Sequence, residues 1–153
     1  MLPELTMTCQ EKCVALPPLR VQFFSIAQAP RSVIHVKILN IRNNKGSISC
    51  ALFESPEGFP KKFLRYATNI MTIKIKDSEA SFYFTDIPPG TYAMVVIHDE
   101  KMNGELDTNW LGIPKEGFGF SNQATALLSA PSFSDASFQY DGQDAEMTMS
   151  LNY

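Results

Sequence analysis

The sequence predicts an all-β fold, an antiparallel β-sandwich of about seven strands with one long ordered loop. Three observations lead to this prediction. From Val33 onward apolar residues alternate with polar ones at a period of two, turn residues separate the alternating runs, and one run is apolar on both faces. With 153 residues, of which 44% are hydrophobic, the chain can bury the core of one domain.

The first 32 residues differ from the rest because they show no clean period. The small-residue triplet Ala27-Gln28-Ala29 follows an apolar stretch and resembles the cleavage site of a secretory signal, although Glu4 and Arg20 do not suit one. We expect residues 1–32 to be an altered signal peptide or a disordered cytoplasmic extension, and residues 33–153 to form the sandwich. A working signal places the protein in the periplasm or outside the cell, and otherwise it stays in the cytoplasm.

Charge and cysteine content argue against several classes of function. The chain has 13 Lys and Arg against 16 Asp and Glu, and it has no dense basic patch that would suit a nucleic acid. No apolar stretch reaches the roughly 18 residues of a membrane-spanning helix. The spacing of Cys9, Cys13 and Cys50 does not fit a zinc site. We expect Cys50 to be buried on a strand, whereas a disulfide between Cys9 and Cys13 stays open.

The first two alternating runs, residues 34–38 and 47–52, predict two strands with one buried face each. Asn43-Asn44-Lys45-Gly46 lies between them and offers the left-handed conformations that a hairpin turn requires. We expect these two strands to pair with each other.

The segment 57–69 has no clear period and predicts either one helical turn or a short connecting strand. It contains the basic residues Lys61, Lys62 and Arg65. No glycine-rich stretch beside them supplies backbone donors for an anion, so a solvated face is the simpler interpretation.

Three further runs complete the predicted sheets. Residues 71–76 and 81–85 alternate, and the turn 77–79 separates them. Residues 90–97 are apolar on both faces, as is typical of a central strand that is covered twice. Residues 145–151 alternate again and predict a last strand with one buried face.

A motif before the central strand carries a family resemblance. Residues 84–92 read FTDIPPGTY, in which Gly90 permits a left-handed turn and Tyr92 can bury its ring while its hydroxyl finds a partner. This motif resembles the strand, turn and strand signature of carboxypeptidase regulatory-like and transthyretin-like, or prealbumin-like, sandwiches.

The next thirty residues extend the resemblance. The stretches PPGTYA at 88–93, HD at 98–99, NGELD at 103–107 and GIPKEGFGFS at 112–121 resemble the bacterial family catalogued as domain of unknown function 2141. The resemblance covers roughly residues 33–153. It implies an uncharacterised, exported sandwich domain, and it implies no established activity.

The loop after the central strand has residues at the spacing of a calcium loop. A calcium loop places oxygen ligands on alternate residues around a glycine, and here Gly104 takes the glycine position. Lys101 stands at one ligand position, where an ammonium group cannot bind the ion. The loop is therefore either calcium-stabilised or a self-capped turn that needs no ion. The candidate metal ligands are Asp99, Asn103, Glu105 and Asp107.

The same loop suggests two other roles. His98, Asp99 and Glu116 are the residues that a hydrolase would use, but adjacent strand residues point to opposite faces, and Ser121 lacks a nucleophile motif. Aromatic rings on the glycine-rich part either stack on a ligand or plug the end of the sandwich. These aromatic residues are Trp110, Phe118 and Phe120.

Taken together, the sequence predicts a non-catalytic binding or accessory module for an unknown protein or small-molecule ligand, with calcium as the one candidate cofactor. A hydrolase and a purely structural module without a ligand are the alternatives.

Overall fold

Two β-sheets and three short helical turns, of which one is the 3-10 turn Ser121–Gln123, are the regular elements in the part of the chain that the structure describes. The computed structural model describes residues 31–103, 115–125 and 129–153. The elements are β1 (Val33–Leu39), β2 (Ser47–Phe53), α1 (Phe63–Tyr66), β3 (Asn69–Lys74), β4 (Ala80–Thr85), β5 (Gly90–Asp99), β6 (Gly117–Phe120), α2 (Phe133–Ala136), β7 (Phe138–Tyr140) and β8 (Ala145–Ser150). The predicted all-β sandwich is confirmed, with eight strands in the described residues. The proposed signal and the Cys9 and Cys13 disulfide lie outside them.

The strand order differs from the prediction in two respects. One sheet has the order β4-β1-β8, and the other has the order β3-β2-β5-β6, with β7 also paired to β5. The predicted hairpin of β1 and β2 is wrong, because these strands lie in different sheets and the connection 40–46 crosses between them. Alternation fixes which face of a strand is buried, but it does not name the neighbouring strand.

The prediction of purely antiparallel pairing is also wrong for one pair. β1 runs antiparallel to β4 but parallel to β8, so that Val36 lies between Phe82 and Met147. A parallel pair needs a long connection rather than a hairpin, and here most of the domain provides it.

The main core lies between the two sheets. Its side chains come from alternate positions of β1, β4 and β8 on one side and of β2 and β5 on the other. They include Ile34, Val36, Phe82, Met94 and Val96, each 0% exposed. Cys50 of β2 also faces this core, as predicted, and burial raises the pKa of its thiol far above the ordinary value.

A second core covers the outer face of the larger sheet. Ala93, Val95 and Ile97 of β5 pack there with Phe53 and with aromatic side chains around α1 and α2. β5 is therefore buried on both faces, as its doubly apolar sequence predicted. The cover of helical turns and loops makes a third layer beside the two sheets.

The corner before β5 is held by Tyr92. Its hydroxyl donates a hydrogen bond of 2.7 Å to the carbonyl of Pro88, and its ring is buried in the main core. A tyrosine that bonds back to the chain a few residues upstream is a recurrent corner of β-sandwiches. The left-handed turn predicted at Gly90 is wrong, because the positive φ in this corner belongs to Asp86, at 60°.

The segment 57–69 forms the helical turn α1 rather than a connecting strand. Lys61, Lys62 and Arg65 are exposed around this turn, whereas Phe63 is buried in the second core. None of the helices in the described residues has the length and apolarity to cross a membrane.

Candidate functional site

The predicted loop begins at one end of the sandwich, where three distant parts of the chain meet. The connection 40–46 lies beside the end of β5 because Ser47 pairs with Asp99. The chain after β8 reaches the same end, where Asn152 and Phe118 exchange two backbone hydrogen bonds of 2.9 and 2.8 Å. We call this region the Tyr153 end and define it by residues 40–46, 98–103, 116–118 and 151–153.

His98 lies in the interior of the Tyr153 end and is 0% exposed. Its Nε2 lies 2.8 Å from the carbonyl oxygen of Lys45, and its Nδ1 lies 2.8 Å from the hydroxyl of Tyr153. A carbonyl can only accept, so Nε2 carries a proton, and in the neutral imidazole Nδ1 accepts from Tyr153. His98 thereby ties the last turn of β5 to two other segments.

Tyr153 is held from its outer side by Arg42. The guanidinium carbon of Arg42 lies 4.4 Å from the centroid of the Tyr153 ring, and the backbone N–H of Arg42 donates to the Tyr153 hydroxyl at 3.2 Å. The Arg42 Nε and Nη2 atoms donate to Glu100 at 2.8 and 2.6 Å. A cation–π contact and a charge-assisted pair of hydrogen bonds therefore fix the position of Arg42.

Two pKa shifts follow from these contacts. Burial opposes ionisation of Glu100, but hydrogen bonds from Arg42 and Asn43 and the charge of Arg42 outweigh it and lower the pKa of the carboxyl. Burial raises the pKa of the Tyr153 hydroxyl, although Arg42 opposes this shift. Glu100 is therefore ionised and Tyr153 keeps its proton at neutral pH, which are the states that the hydrogen bonds require.

Two glycines make room for this arrangement. A Cβ atom on Gly117, the residue that pairs with His98, would lie 2.5 Å from the Tyr153 ring. A Cβ atom on Gly46 would lie 1.9 Å from the carbonyl oxygen of Asp99, and Gly46 also has a φ of 70°. Gly46 is thus required both for its left-handed backbone and for its close approach to β5.

Asp99 and Glu116 are buried on the opposite face of the sheet from His98, and each is 4% exposed. Because His98 pairs with Gly117, the adjacent residues Asp99 and Glu116 stand at the ends of neighbouring strands and share a face. The Oδ1 atom of Asp99 accepts from the backbone N–H of Lys101 at 3.1 Å. This is the kind of hydrogen bond that a self-capped loop requires.

The structure describes only two of the four predicted calcium ligands, Asp99 and Asn103. Asn103 is exposed, whereas Glu105 and Asp107 lie outside the described residues. Within 31–103, 115–125 and 129–153, no three His, Cys, Asp or Glu side chains come together as a metal site. The four-ligand calcium loop therefore stays a prediction.

Two of the three predicted aromatic surface residues, Phe118 and Phe120, are likewise described by the structure. Phe120 is 5% exposed in the second core, and Phe118 packs at the edge of that core with its ring centroid 5.7 Å from that of Phe120. Trp110 lies outside the described residues. Whether the three aromatic residues together plug the sandwich or stack on a ligand stays a prediction.

The three residues of the hydrolase alternative do not share one face of the larger sheet. His98 faces the interior between the sheets, whereas Asp99 and Glu116 face the other side of the larger sheet. Both ring nitrogens of His98 also serve hydrogen bonds within the fold.

Sequence reasoning missed several of the residues that build this end. Arg42, Glu100 and Tyr153 meet although 111 residues separate Arg42 from Tyr153, and no local pattern signals such a contact. Ser121 has no nucleophile motif, and its hydroxyl accepts from the N–H of Met94 and donates to the carbonyl of Ala136. The burial of Ser121 among backbone groups gives it a structural role.

Comparisons with known proteins agree with the resemblance in the sequence. The model of the family described as DUF2141, uncharacterized protein conserved in bacteria, matches residues 36–148. No curated protein and no solved structure matches the chain. Because the matched residues run from β1 to β8 and cover well over half of the sequence, the chain belongs to the DUF2141 family.

Proposed function

We propose that this protein is a non-catalytic binding module that acts outside the cytoplasm and binds a partner protein through the Tyr153 end. The observation that carries this proposal is that His98 is engaged in hydrogen bonds within the fold. Both of its ring nitrogens hold other segments in place, so the polar groups of this end fix a surface instead of attacking a substrate.

The exposed residues of the Tyr153 end suit a protein interface. The side chain of Arg42 is 48% exposed, and Tyr153 and Met102 are 44% and 62% exposed. Arg, Tyr and Met are enriched in protein interfaces, and Tyr and Arg are frequent binding hot spots. Arg42 and Tyr153 are also held in position before any partner arrives, which reduces the entropy lost on binding.

Crosslinking in cells tests this proposal. A photo-reactive amino acid at Met102, expressed in the full chain in a bacterial host that carries the natural gene, is expected to give one discrete crosslinked product. Tyr153→Ala is expected to remove that product. The matched control places the same amino acid at Tyr83, which is 56% exposed on the other sheet. Equal products at both positions, or none at Met102, would contradict a binding role for the Tyr153 end.

Export is supported by the triplet Ala27-Gln28-Ala29, which resembles a cleavage site. Cell fractionation combined with intact mass measurement tests it. We expect the protein in the periplasmic or extracellular fraction, and we expect its mass to match a chain that begins at Pro30. A full-length mass confined to the cytoplasmic fraction would contradict this part of the proposal.

A calcium-stabilised loop is a second part of the proposal, and the burial of Asp99 and Glu116 favours it. Two carboxylates that share a face at neighbouring strand ends suit a hard cation with oxygen ligands. Calcium that binds only the folded state raises its stability by about 3 kcal/mol at a hundredfold excess over the dissociation constant.

Thermal unfolding in millimolar calcium and in chelator tests the cation. We expect calcium to raise the melting temperature by several degrees, and Asp99→Asn or Glu116→Gln to abolish this increase. Glu146→Gln is the matched control, because the Glu146 side chain is 89% exposed on the other sheet. An equal melting temperature in calcium and in chelator would favour the self-capped loop.

A further inference from the structure

The short helical turn α1 presents an apolar side chain at its tip. Leu64 is 65% exposed, more than any other large hydrophobic residue in the described part of the chain. The preceding residue, Phe63, is 5% exposed and packs in the second core. A one-residue step along a helix turns the side chain by about 100°, so Leu64 faces solvent while Phe63 faces the core.

The backbone of α1 is held on both sides, which keeps Leu64 exposed. The N–H of Lys62 donates to Gly58 at 2.8 Å, and the N–H of Ala67 donates to Phe63 at 3.1 Å. One residue later, the N–H of Thr68 donates to Leu52 of β2 at 2.8 Å. The exposure of Leu64 therefore follows from a fixed backbone and a buried neighbour.

Three cations surround Leu64. Lys61, Lys62 and Arg65 are exposed, and they account for three of the 13 Lys and Arg residues of a chain with a formal charge of -3. No ion pair joins any of these three to another residue within 31–103, 115–125 or 129–153. We call Lys61, Lys62, Leu64 and Arg65 the α1 knob.

Glu57 is an exposed acidic residue beside the knob. It lines an open cleft of about 370 Å³ together with Lys61 and Lys62, and the ring of Tyr66 forms another part of the wall. An exposed glutamate beside two lysines weakens the attraction of this surface for anions. Removal of the negative charge of Glu57 should therefore strengthen anion binding. A Glu57 variant is thus expected to change binding in the direction opposite to the lysine variants.

We propose that the α1 knob binds the surface of an anionic phospholipid membrane. The cations meet the lipid phosphates, and Leu64 enters the boundary between headgroups and acyl chains. Charge complementarity supports this partner, since the knob concentrates cations on an otherwise acidic protein. A soluble polyanion would use the cations but not the apolar tip, and a single leucine is too small for a stable protein interface.

The position of the knob leaves the Tyr153 end accessible. The chain just after α1 is bonded to Leu52 near the end of β2 through the N–H of Thr68, whereas Ser47 at the start of β2 pairs with Asp99 at the Tyr153 end. A seven-residue strand spans about 23 Å, so a membrane at one end and a partner at the other do not compete. The membrane proposal does not depend on the proposed function of the Tyr153 end.

Sedimentation with lipid vesicles tests the proposal. The full folded chain is expected to bind vesicles of equal parts phosphatidylglycerol and phosphatidylcholine, and not vesicles of phosphatidylcholine alone. Lys61→Gln and Lys62→Gln should each weaken binding about fivefold, and Leu64→Ser should weaken it about tenfold or more. Glu57→Gln should strengthen binding about fivefold, and raised salt should weaken it.

Two surface substitutions serve as controls. Lys37→Gln and Leu39→Ser change an exposed cation and an exposed leucine on the other sheet and should leave binding unchanged. Circular dichroism of each variant checks that it is folded. Equal binding to both kinds of vesicle, no binding to either, or an equal loss in the controls would overturn the proposal. Full binding by Leu64→Ser together with competition by inorganic polyphosphate would assign the knob to a soluble polyanion instead.

Discussion

The hydroxyl of Tyr153 lies 2.8 Å from Nδ1 of His98, although 55 residues separate them in the chain. This contact joins the segment after β8 to the end of β5 and allows Arg42 to stack on the outer side of the tyrosine ring. The exposed residues of the Tyr153 end are therefore held in place by a histidine that solvent does not reach.

Removal of the Tyr153 hydroxyl should destabilise the fold without unfolding it. Tyr153→Phe leaves the Nδ1 atom of buried His98 without its donor, which costs about 1 to 2 kcal/mol. Urea denaturation measures the change in the free energy of unfolding. Tyr83→Phe removes a hydroxyl from an exposed ring and serves as the control. An equal effect of both substitutions would show that the contact with His98 contributes nothing specific.

Gly117 should tolerate no side chain while Tyr153 is present. In Gly117→Ala the new methyl group would overlap the Tyr153 ring, and displacement of the ring should cost about 1 to 3 kcal/mol. A double-mutant cycle isolates the cause. In a Tyr153→Ala background most of this cost should disappear, whereas purely additive costs would mean that the ring is not the obstacle.

The pair of Arg42 and Glu100 should make stability depend on pH in the acid range. The pKa of Glu100 is lower in the folded protein than its ordinary value of 4.5, so the unfolded chain takes up this proton first as pH falls. The stabilisation is present above about pH 4.5 and is lost as pH falls through the lower folded-state pKa.

Urea midpoints measured from about pH 6 down to about pH 3 test this dependence. Arg42→Gln should flatten the slope below about pH 4.5, because the lowered pKa of Glu100 depends on the hydrogen bonds and charge of Arg42. Arg65→Gln changes an exposed arginine of α1 and should keep the slope. An unchanged slope in Arg42→Gln would contradict the assignment.

Ser121 should matter for stability and not for chemistry. Its hydroxyl lies between two buried backbone groups, the N–H of Met94 and the carbonyl of Ala136. Ser121→Ala leaves both without this partner and should cost about 2 kcal/mol or more. Ser49→Ala is the control, since the hydrogen bond between Ser49 and Thr72 is exposed and should be worth about 0.5 kcal/mol or less. Similar costs for both would contradict the structural role of Ser121.

The sequence predicted those parts of the fold that depend on local pattern. β5 was identifiable because its apolar residues occupy both faces, and only a strand covered twice requires this. The buried ring and bonded hydroxyl of Tyr92 were likewise predictable, because its partner Pro88 lies four residues away. In both cases the spacing of residues close together in the sequence is enough to predict the structure.

The remaining features depend on contacts between distant residues. The partners of β1 could not be predicted, because a strand with one buried face fits either sheet equally well. The same applies to the site, because the central strand that leads into His98 was predicted, whereas the contact of His98 with Tyr153 was not. A hydrogen bond between side chains leaves no periodic signal, and Tyr153 stands in no motif that indicates a partner.

The parallel pairing of β1 with β8 has a consequence for how the protein folds. Ile34 lies opposite Ala145, so the smaller sheet closes only when residues more than a hundred positions apart meet. Contacts of such long range require the loss of much chain entropy before they contribute stability, and domains rich in them fold on the millisecond to second scale. A nascent chain keeps one edge of β1 open until β8 has left the ribosome, so the domain is completed only after synthesis of nearly its whole length.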